Sequence, residues 1–289
     1  MEIRSLENIG FDELFEGFSN AFSDYEIHFD KSEVQSMLIR RGYVPYLSFA
    51  AFEGGKIVAF TLNGIGMFNG IQTAYDTGTG TVKEYRGCGL AGEIFRYSLP
   101  FLRQAGISQY LLEVLQNNHK AITVYRRIQF HTTREFDCFK QSIDNIHNIH
   151  SVNRCANLRI GLIDVDSVRQ AQTFCDFSPS WQNSIESIER GASDLTCIGA
   201  FDLYELVGFC VFDRKSGDLT QIVVKEEYRR QGVASQLLCE VIRQMCTDFV
   251  KVLNVPSDNI SLPAFLKSKN IPLMNKQFEM VMDLTRISK

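Results

Sequence analysis

The sequence has no run of 18 apolar residues, so no segment reads as a bilayer-spanning helix. Its first fifteen residues carry Glu2, Glu7, Asp12 and Glu13, which removes both the basic start and the apolar centre of a secretory signal. Glycine and proline are scarce, 20 and 6 in 289 residues, which excludes collagen-like and low-complexity chains. No Cys-x-x-Cys pair occurs among the eight cysteines, at 88, 138, 155, 175, 197, 210, 239 and 246. Most stand in apolar stretches such as Leu237-Leu238-Cys239 and Gly208-Phe209-Cys210-Val211, the setting of reduced thiols that act as small hydrophobes. These absences point to a cytoplasmic chain. Basic charge is not in excess either: 30 Lys and Arg against 34 Asp and Glu leave a net charge of −4. Such a surface is a poor match for a nucleic-acid backbone and leaves room for a cationic or amine ligand. No metal is expected, because His147-Asn148-Ile149-His150 offers two imidazoles without a Cys or carboxylate beside them.

Apolar residues make up 45% of the chain and charged residues 22%, enough to build real cores. The length predicts about two domains at roughly 150 residues each. Two stretches support that count. Thr81-Val82-Lys83-Glu84-Tyr85-Arg86-Gly87-Cys88-Gly89-Leu90-Ala91 and Val224-Lys225-Glu226-Glu227-Tyr228-Arg229-Arg230-Gln231-Gly232-Val233-Ala234 share Tyr, Arg, Gly and Ala at a constant offset of 143 positions. An offset near half the length reads as one domain used twice. The division predicted is 1–140 and 155–289, joined by a polar linker over 141–154.

The flanks agree with duplication. Residues 1–9 are β-like and lead to a helix with Asp12 in its first turn and Phe11, Leu14, Phe15, Phe18 and Phe22 on one face. Leu158 to Leu162 lead likewise to a helix opening at Asp164. A second helix in each half ends at Gly42 or Gly191. Strand pairs follow, Leu47 to Phe52 with Ile57 to Leu62, and Thr196 to Phe201 with Leu206 to Phe212; Glu53-Gly54-Gly55-Lys56 is a hairpin signal. Each half therefore reads strand, helix, helix, hairpin, strand, glycine loop, helix, strand, helix, strand. That order predicts an α/β fold with a sheet partly parallel and partly antiparallel.

A strand that runs into a glycine loop and then a helix is suited to a phosphate, since the first helical amides lack partners and the dipole adds positive charge. Arg86 and Arg229 are candidate counter-charges. A nucleoside-triphosphate loop, Gly-x-x-x-x-Gly-Lys-[Ser/Thr], is absent. Gly87-Cys88-Gly89 with Gly92 satisfies the dinucleotide pattern in form only: no βαβ unit opens the domain, and the second copy keeps only Gly232. The alternative is that the glycines serve tight helix–strand packing, a reading weakened by the recurrence of the loop.

The residues Arg86-x-x-Gly89-x-Ala91 and Arg229-x-x-Gly232-x-Ala234 resemble the coenzyme loop of the GNAT superfamily, the acetyl-CoA-dependent N-acetyltransferases. Residues Leu111 to Phe130 resemble the strand and helix that follow in that family, with Asn118, Ala121 and Tyr125 in register. Gln129 departs from the pattern, which places a glycine before the Phe. The resemblance covers most of 1–140 and, less closely, 155–289. It implies two tandem GNAT-like domains, each a mixed, centrally splayed sheet flanked by helices, and acetyl-CoA as donor with coenzyme A as co-product.

The resemblance further implies that Arg86, Gly87, Cys88, Gly89, Leu90 and Ala91 hold the pyrophosphate, as do Arg229, Arg230, Gln231, Gly232, Val233 and Ala234 in the second copy. Amides near Thr81 and Val82 would polarise the thioester carbonyl, Asn118 would anchor the pantetheine arm, and Tyr125 would protonate the departing thiolate. By helical spacing alone, Ile122, Tyr125 and Phe130 form an apolar stripe. The general base stays open between Asp76, Glu113, a water chain and solvent, since an alkyl-ammonium with pKa of about 10.4 must first be deprotonated. The second copy lacks the phenol: seven residues beyond Asn259 stands Leu266, and the neighbouring Phe265 donates nothing. That copy binds coenzyme weakly, shapes the cleft or is structural. The reading is an N-terminal domain that acetylates a primary amine of a small molecule or protein, as monomer or homodimer. A non-catalytic acyl-CoA sensor or scaffold is the rival, and transfer of a longer acyl or aminoacyl group a third possibility.

Overall fold

Helix α1 (Phe11–Ala21) forms where Phe and Leu recur at helical spacing, with Asp12 and Glu13 against the positive end of the helix dipole. Its Leu14 and Phe18 are buried in a core with Val34, Leu38, Phe60 and Leu62. The computed structural model describes residues 1–25, 29–147 and 158–285, and these divide into two compact units, Met1–Thr133 with Phe278–Lys289, and Arg134–Gln277.

In unit 1, β1 (Glu2–Ser5) precedes α1, and α2 (Lys31–Arg41) follows. Asp30 starts α2 with a reciprocal capping box to Glu33, and Gly42 ends it in the left-handed conformation. Strands β2 (Phe49–Glu53) and β3 (Lys56–Phe68) are joined through Gly54 and Gly55, both at positive φ, as a tight two-residue hairpin needs. Then come β4 (Ile71–Thr81), α3 (Leu90–Gln104), β5 (Gln109–Leu115) and α4 (His119–Arg127). The chain next enters β6 (His131–Ser142), most of which lies in unit 2.

Unit 2 repeats the order with β7 (Leu158–Leu162), α5 (Val165–Gln170), α6 (Ile185–Arg190), β8 (Thr196–Asp202), β9 (Glu205–Asp213), β10 (Asp218–Val224), α7 (Val233–Gln244), β11 (Phe249–Pro256) and α8 (Ser261–Ser268); β12 (Leu273–Asp283) follows and from Phe278 on belongs to unit 1. Strand order is β1-β2-β3-β4-β5-β12 in unit 1 and β6-β11-β10-β9-β8-β7 in unit 2. The two closing strands are thus traded. Met280, Met282 and Leu284 pack into the unit 1 core with Tyr110, Leu112 and Val114. Strand β6 pairs antiparallel with β11, and Phe139 joins the unit 2 core.

This differs from a division into 1–140 and 155–289, in which each half closes its own sheet. Alternating apolar residues specify a strand and its buried face, but they do not say which sheet it joins. Of the expected 141–154 linker, Gln141 and Ser142 belong to β6, and Ile143 to Asn145 form a single 3-10 turn. Residues 148–157, with His150 and Cys155, lie outside the described residues, as does Glu26. None of the seven described cysteines forms a disulfide.

Candidate active site

The site of unit 1 begins where pairing between β4 and β5 stops. These parallel strands pair only at Thr73–Gln109, Ala74–Tyr110 and Tyr75–Leu111. Both continue beyond, so the sheet opens after Tyr75. On its other side β4 stays paired with β3, with a bulge at Thr77 between the Asn63–Asp76 and Leu62–Gly78 pairs.

Strand geometry decides which amides face the opening. Val82 donates its N–H to the Val58 carbonyl at 2.9 Å. This corrects the expectation that Val82 polarises a thioester, because that amide is spent inside the sheet. Hydrogen-bonded and non-hydrogen-bonded pairs alternate along an antiparallel ladder. The Ala59–Thr81 and Thr61–Thr79 pairs are therefore of the other kind, and the main-chain groups of Thr81 and Thr79 turn to the open side. Thr79 was not among the residues expected from the sequence, because the alternation depends on which residue bulges.

The loop that follows is built for close approach. Gly87 and Gly89 each have φ of 82°, and a Cβ at either would meet nothing within 4 Å, so open space lies beside the main chain. The first bond of α3 runs from Glu93 N–H to Gly89 O, which leaves the amides of Leu90, Ala91 and Gly92 at the dipole's positive end. The Leu90 side chain is buried in the core and Cys88 is exposed.

Arg86 is not a free counter-charge for that loop. Its guanidinium donates to both carboxylate oxygens of Asp24 at 2.6 Å, to Ala21 O at 2.9 Å and, from Nε, to Thr81 O at 3.0 Å. The forked bond holds the Asp24 carboxyl below its ordinary pKa. Arg229 repeats the arrangement with Asp176, Phe174 O and Val224 O. These arginines tie the end of the strand before the loop to a segment from earlier in their own unit.

On one face of the unit 1 sheet, Tyr125 on α4 is half-buried and packs on Phe130 with ring centroids 5.7 Å apart, so the apolar stripe is real. Burial, and then the charge of Asp76, push the phenol's pKa above its usual value. Asp76 accepts from Thr79 Oγ1 at 3.0 Å, and burial lifts its carboxyl to about 6. Asn63 accepts from Tyr110 O–H on the same face. On the opposite face Tyr75 O–H donates to Glu113 at 3.0 Å. Asn118 accepts from Ala121 N–H at 3.1 Å and so caps α4; its Oδ1 positions the helix that carries Tyr125. Gln129 stands at φ 74°, the left-handed turn for which glycine is usual, at a cost of roughly 1 kcal/mol.

Unit 2 reproduces this frame. Strand β10 carries its bulge at Thr220, 143 positions after Thr77, and Lys225 N–H donates to Val207 O at 2.9 Å as Val82 does to Val58. Arg230 takes φ 60° at the place of Gly87, and Gly232 takes φ 95°. Val233 is buried in the core, Ala234 follows it in the first turn of α7, and Gln231 binds Glu227 O at 2.8 Å. Leu262 N–H donates to Asn259 at 3.0 Å, matching the Asn118 cap.

A splayed α/β sheet with an amide-lined loop at the opening, present twice, is an arrangement suited to an anionic group such as a phosphate. Family comparison agrees. Residues 11–130 match the acetyltransferase (GNAT) family and residues 163–268 match an acetyltransferase (GNAT) domain. Among curated proteins, N-alpha-acetyltransferase 30 of Schizosaccharomyces pombe is 29% identical over 105 residues, 35% of this chain and 70% of that protein. N-alpha-acetyltransferase MAK3 of Arabidopsis thaliana is 29% identical over 102 residues, 34% of this chain and 54% of that protein. Among solved structures, a tandem GNAT protein from the clavulanic acid biosynthesis pathway aligns with a TM-score of 0.74 at 13% identity, over 99% of both chains. A GCN5-related N-acetyltransferase from Sphaerobacter thermophilus aligns at 0.70 and 11% identity, over 98% of this chain and 95% of that one. The chain belongs to the GNAT family as a tandem, two-domain acetyltransferase. That family draws its acyl group from acetyl-CoA. Among the described residues, no helix is long and apolar enough to cross a membrane.

Proposed function

We propose that unit 1 transfers the acetyl group of acetyl-CoA to a primary amine, with Tyr125 as general acid. The carrying observation is the opening of the sheet after the Tyr75–Leu111 pair, with the amides of Thr79 and Thr81 on its edge and Tyr125 on the helix beside it. The loop amides of Leu90, Ala91 and Gly92 would hold the pyrophosphate, and glycine at 87 and 89 leaves room for it. Thr79 and Thr81 supply donors toward a developing oxyanion. Tyr125 stays protonated at neutral pH because burial and Asp76 both disfavour its anion, and so it is ready to give its proton to sulfur.

Glu113 is the base this arrangement favours. It lies across the sheet from Tyr125, so an amine deprotonated there approaches from the side away from the departing thiol. Its hydrogen bond from Tyr75 fixes the carboxylate. The names of the curated relatives make peptide α-amines the first acceptors to test, with small-molecule amines second. The test is thiol release from acetyl-CoA across both panels for the wild type and Tyr125→Phe. Release that depends on an amine and drops in the variant is expected. Equal turnover by Tyr125→Phe at every pH would remove the phenol from the mechanism.

A further inference from the structure

A cavity of about 630 Å³ opens in unit 2 between the splayed β10 and β11, reaching from the Arg230–Ser235 loop to the end of α8. That volume is in the range of small-molecule sites. Phe174, Phe177, Pro179, Ile222, Leu262 and Phe265 are among the apolar residues that line it. Two polar side chains within it are engaged locally: Gln221 donates to Asn183 O at 2.6 Å, and Asn183 donates to Leu253 O at 2.8 Å.

The duplication supplies an internal comparison. The bulges align Thr77 with Thr220, which sets Leu219 in the place of Asp76. The helix caps align Asn118 with Asn259, which sets Leu266 in the place of Tyr125 and Asn254 in that of Glu113. The exits of the helices confirm this register, since Phe130 N–H donates to Tyr125 O at 3.0 Å and Ile271 N–H to Leu266 O at 2.9 Å. Every group able to exchange a proton at these three positions is thus gone from unit 2. The holding parts are retained: the splay, the left-handed loop positions, the helix cap and the Arg229–Asp176 tie.

We infer that unit 2 is a receptor for a coenzyme A thioester that it does not transfer, and that its cavity prefers acyl chains longer than acetyl. The inference rests on unit 1 being the catalytic copy. Its ligand is chosen by the loop, which suits a pyrophosphate, and by the apolar wall, which rewards added methylenes. The carboxylate among its lining residues, Asp176, is held by Arg229 and by the Ser261 hydroxyl and so is not placed to take a proton from an amine; a bound thioester therefore persists, and its occupancy reports the acyl-CoA supply.

The chain contains a single tryptophan, and it lies in unit 2. Trp181 is buried between Pro179 and Asn183 in sequence, both of which line the cavity. Its emission is therefore read from the full-length protein during titration with coenzyme A, acetyl-CoA, butyryl-CoA and octanoyl-CoA, without an amine. The expected result is a saturable change whose Kd tightens about fourfold per added methylene, hence more than tenfold from acetyl to butyryl. Tyr125→Phe should leave the change intact, and Gly232→Val should weaken it at least about tenfold by straining the loop. Equilibrium dialysis of the wild type needs no folded variant and should count two thioesters per chain. Silent Trp181 with one thioester per chain, or a Kd indifferent to chain length, would overturn the inference. Failure of the unit 1 reading is separate, because it shows in thiol release by Tyr125→Phe and not in Trp181 emission.

Discussion

Arg86 and Asp24 meet as a fork, Nη1 on Oδ2 and Nη2 on Oδ1, each at 2.6 Å, while Nε of the same guanidinium holds the carbonyl of Thr81. One side chain thus fixes the end of β4 directly before the glycine loop. A lysine keeps the charge but loses the planar fork and the Nε donor. Arg86→Lys should raise the KM for acetyl-CoA about fivefold, with kcat within about twofold, because one fork is lost and no reacting group is touched. Steady-state kinetics at fixed amine measures this. A fall in kcat at unchanged KM would place Arg86 in the chemistry instead.

Tyr125→Phe removes one hydroxyl from a ring that also packs on Phe130, so the helix should survive. The expected loss in kcat is about 10²- to 10³-fold, the usual worth of a positioned general acid. Circular dichroism should be unchanged.

Asp76 ties proton uptake to stability. Burial lifts its folded pKa to about 6, above the ordinary aspartate value of about 4. Between these values the folded state binds more protons than the unfolded one, so this group's contribution falls as pH rises from about 4 to about 6. Asp76→Asn should abolish that decline and leave the protein relatively more stable at neutral pH. Urea midpoints of the two proteins across this window decide the matter.

Gln129 holds φ of 74° at the exit of α4. Gln129→Gly relieves the left-handed strain against glycine's greater freedom in the unfolded chain, for a net gain of up to about 0.5 kcal/mol. Thermal or urea unfolding reads it, and no change in kcat is expected.

Strand β12 supplies Met280 and Met282 to the unit 1 core, and Leu284 directly after it joins them. A chain ending at Pro272 loses all three, and deleting one such buried side chain already costs about 2–5 kcal/mol against a total stability of about 5–15 kcal/mol. That chain should lack acetyl transfer and fail to give a cooperative unfolding transition. A cooperative, active product would show that unit 1 closes without β12.

Much of this was legible in the sequence. The Asn118-to-Tyr125 register came from the resemblance to the GNAT superfamily. Helix α1, the Gly54-Gly55 hairpin and the repeated loop follow from local rules of spacing, capping and turn chemistry, and a local rule is complete within a few residues. The 143-position repeat gave the two-domain plan for the same reason. Tertiary structure decided what depends on distant partners. It withdrew the Val82 amide to Val58 and turned Thr79 toward the opening, because one bulge at Thr77 sets the parity of the ladder. It committed Arg86 to Asp24, 62 positions away, and it exchanged β6 and β12, because a strand's pattern fixes its buried face while the sheet it completes is chosen only when both cores pack.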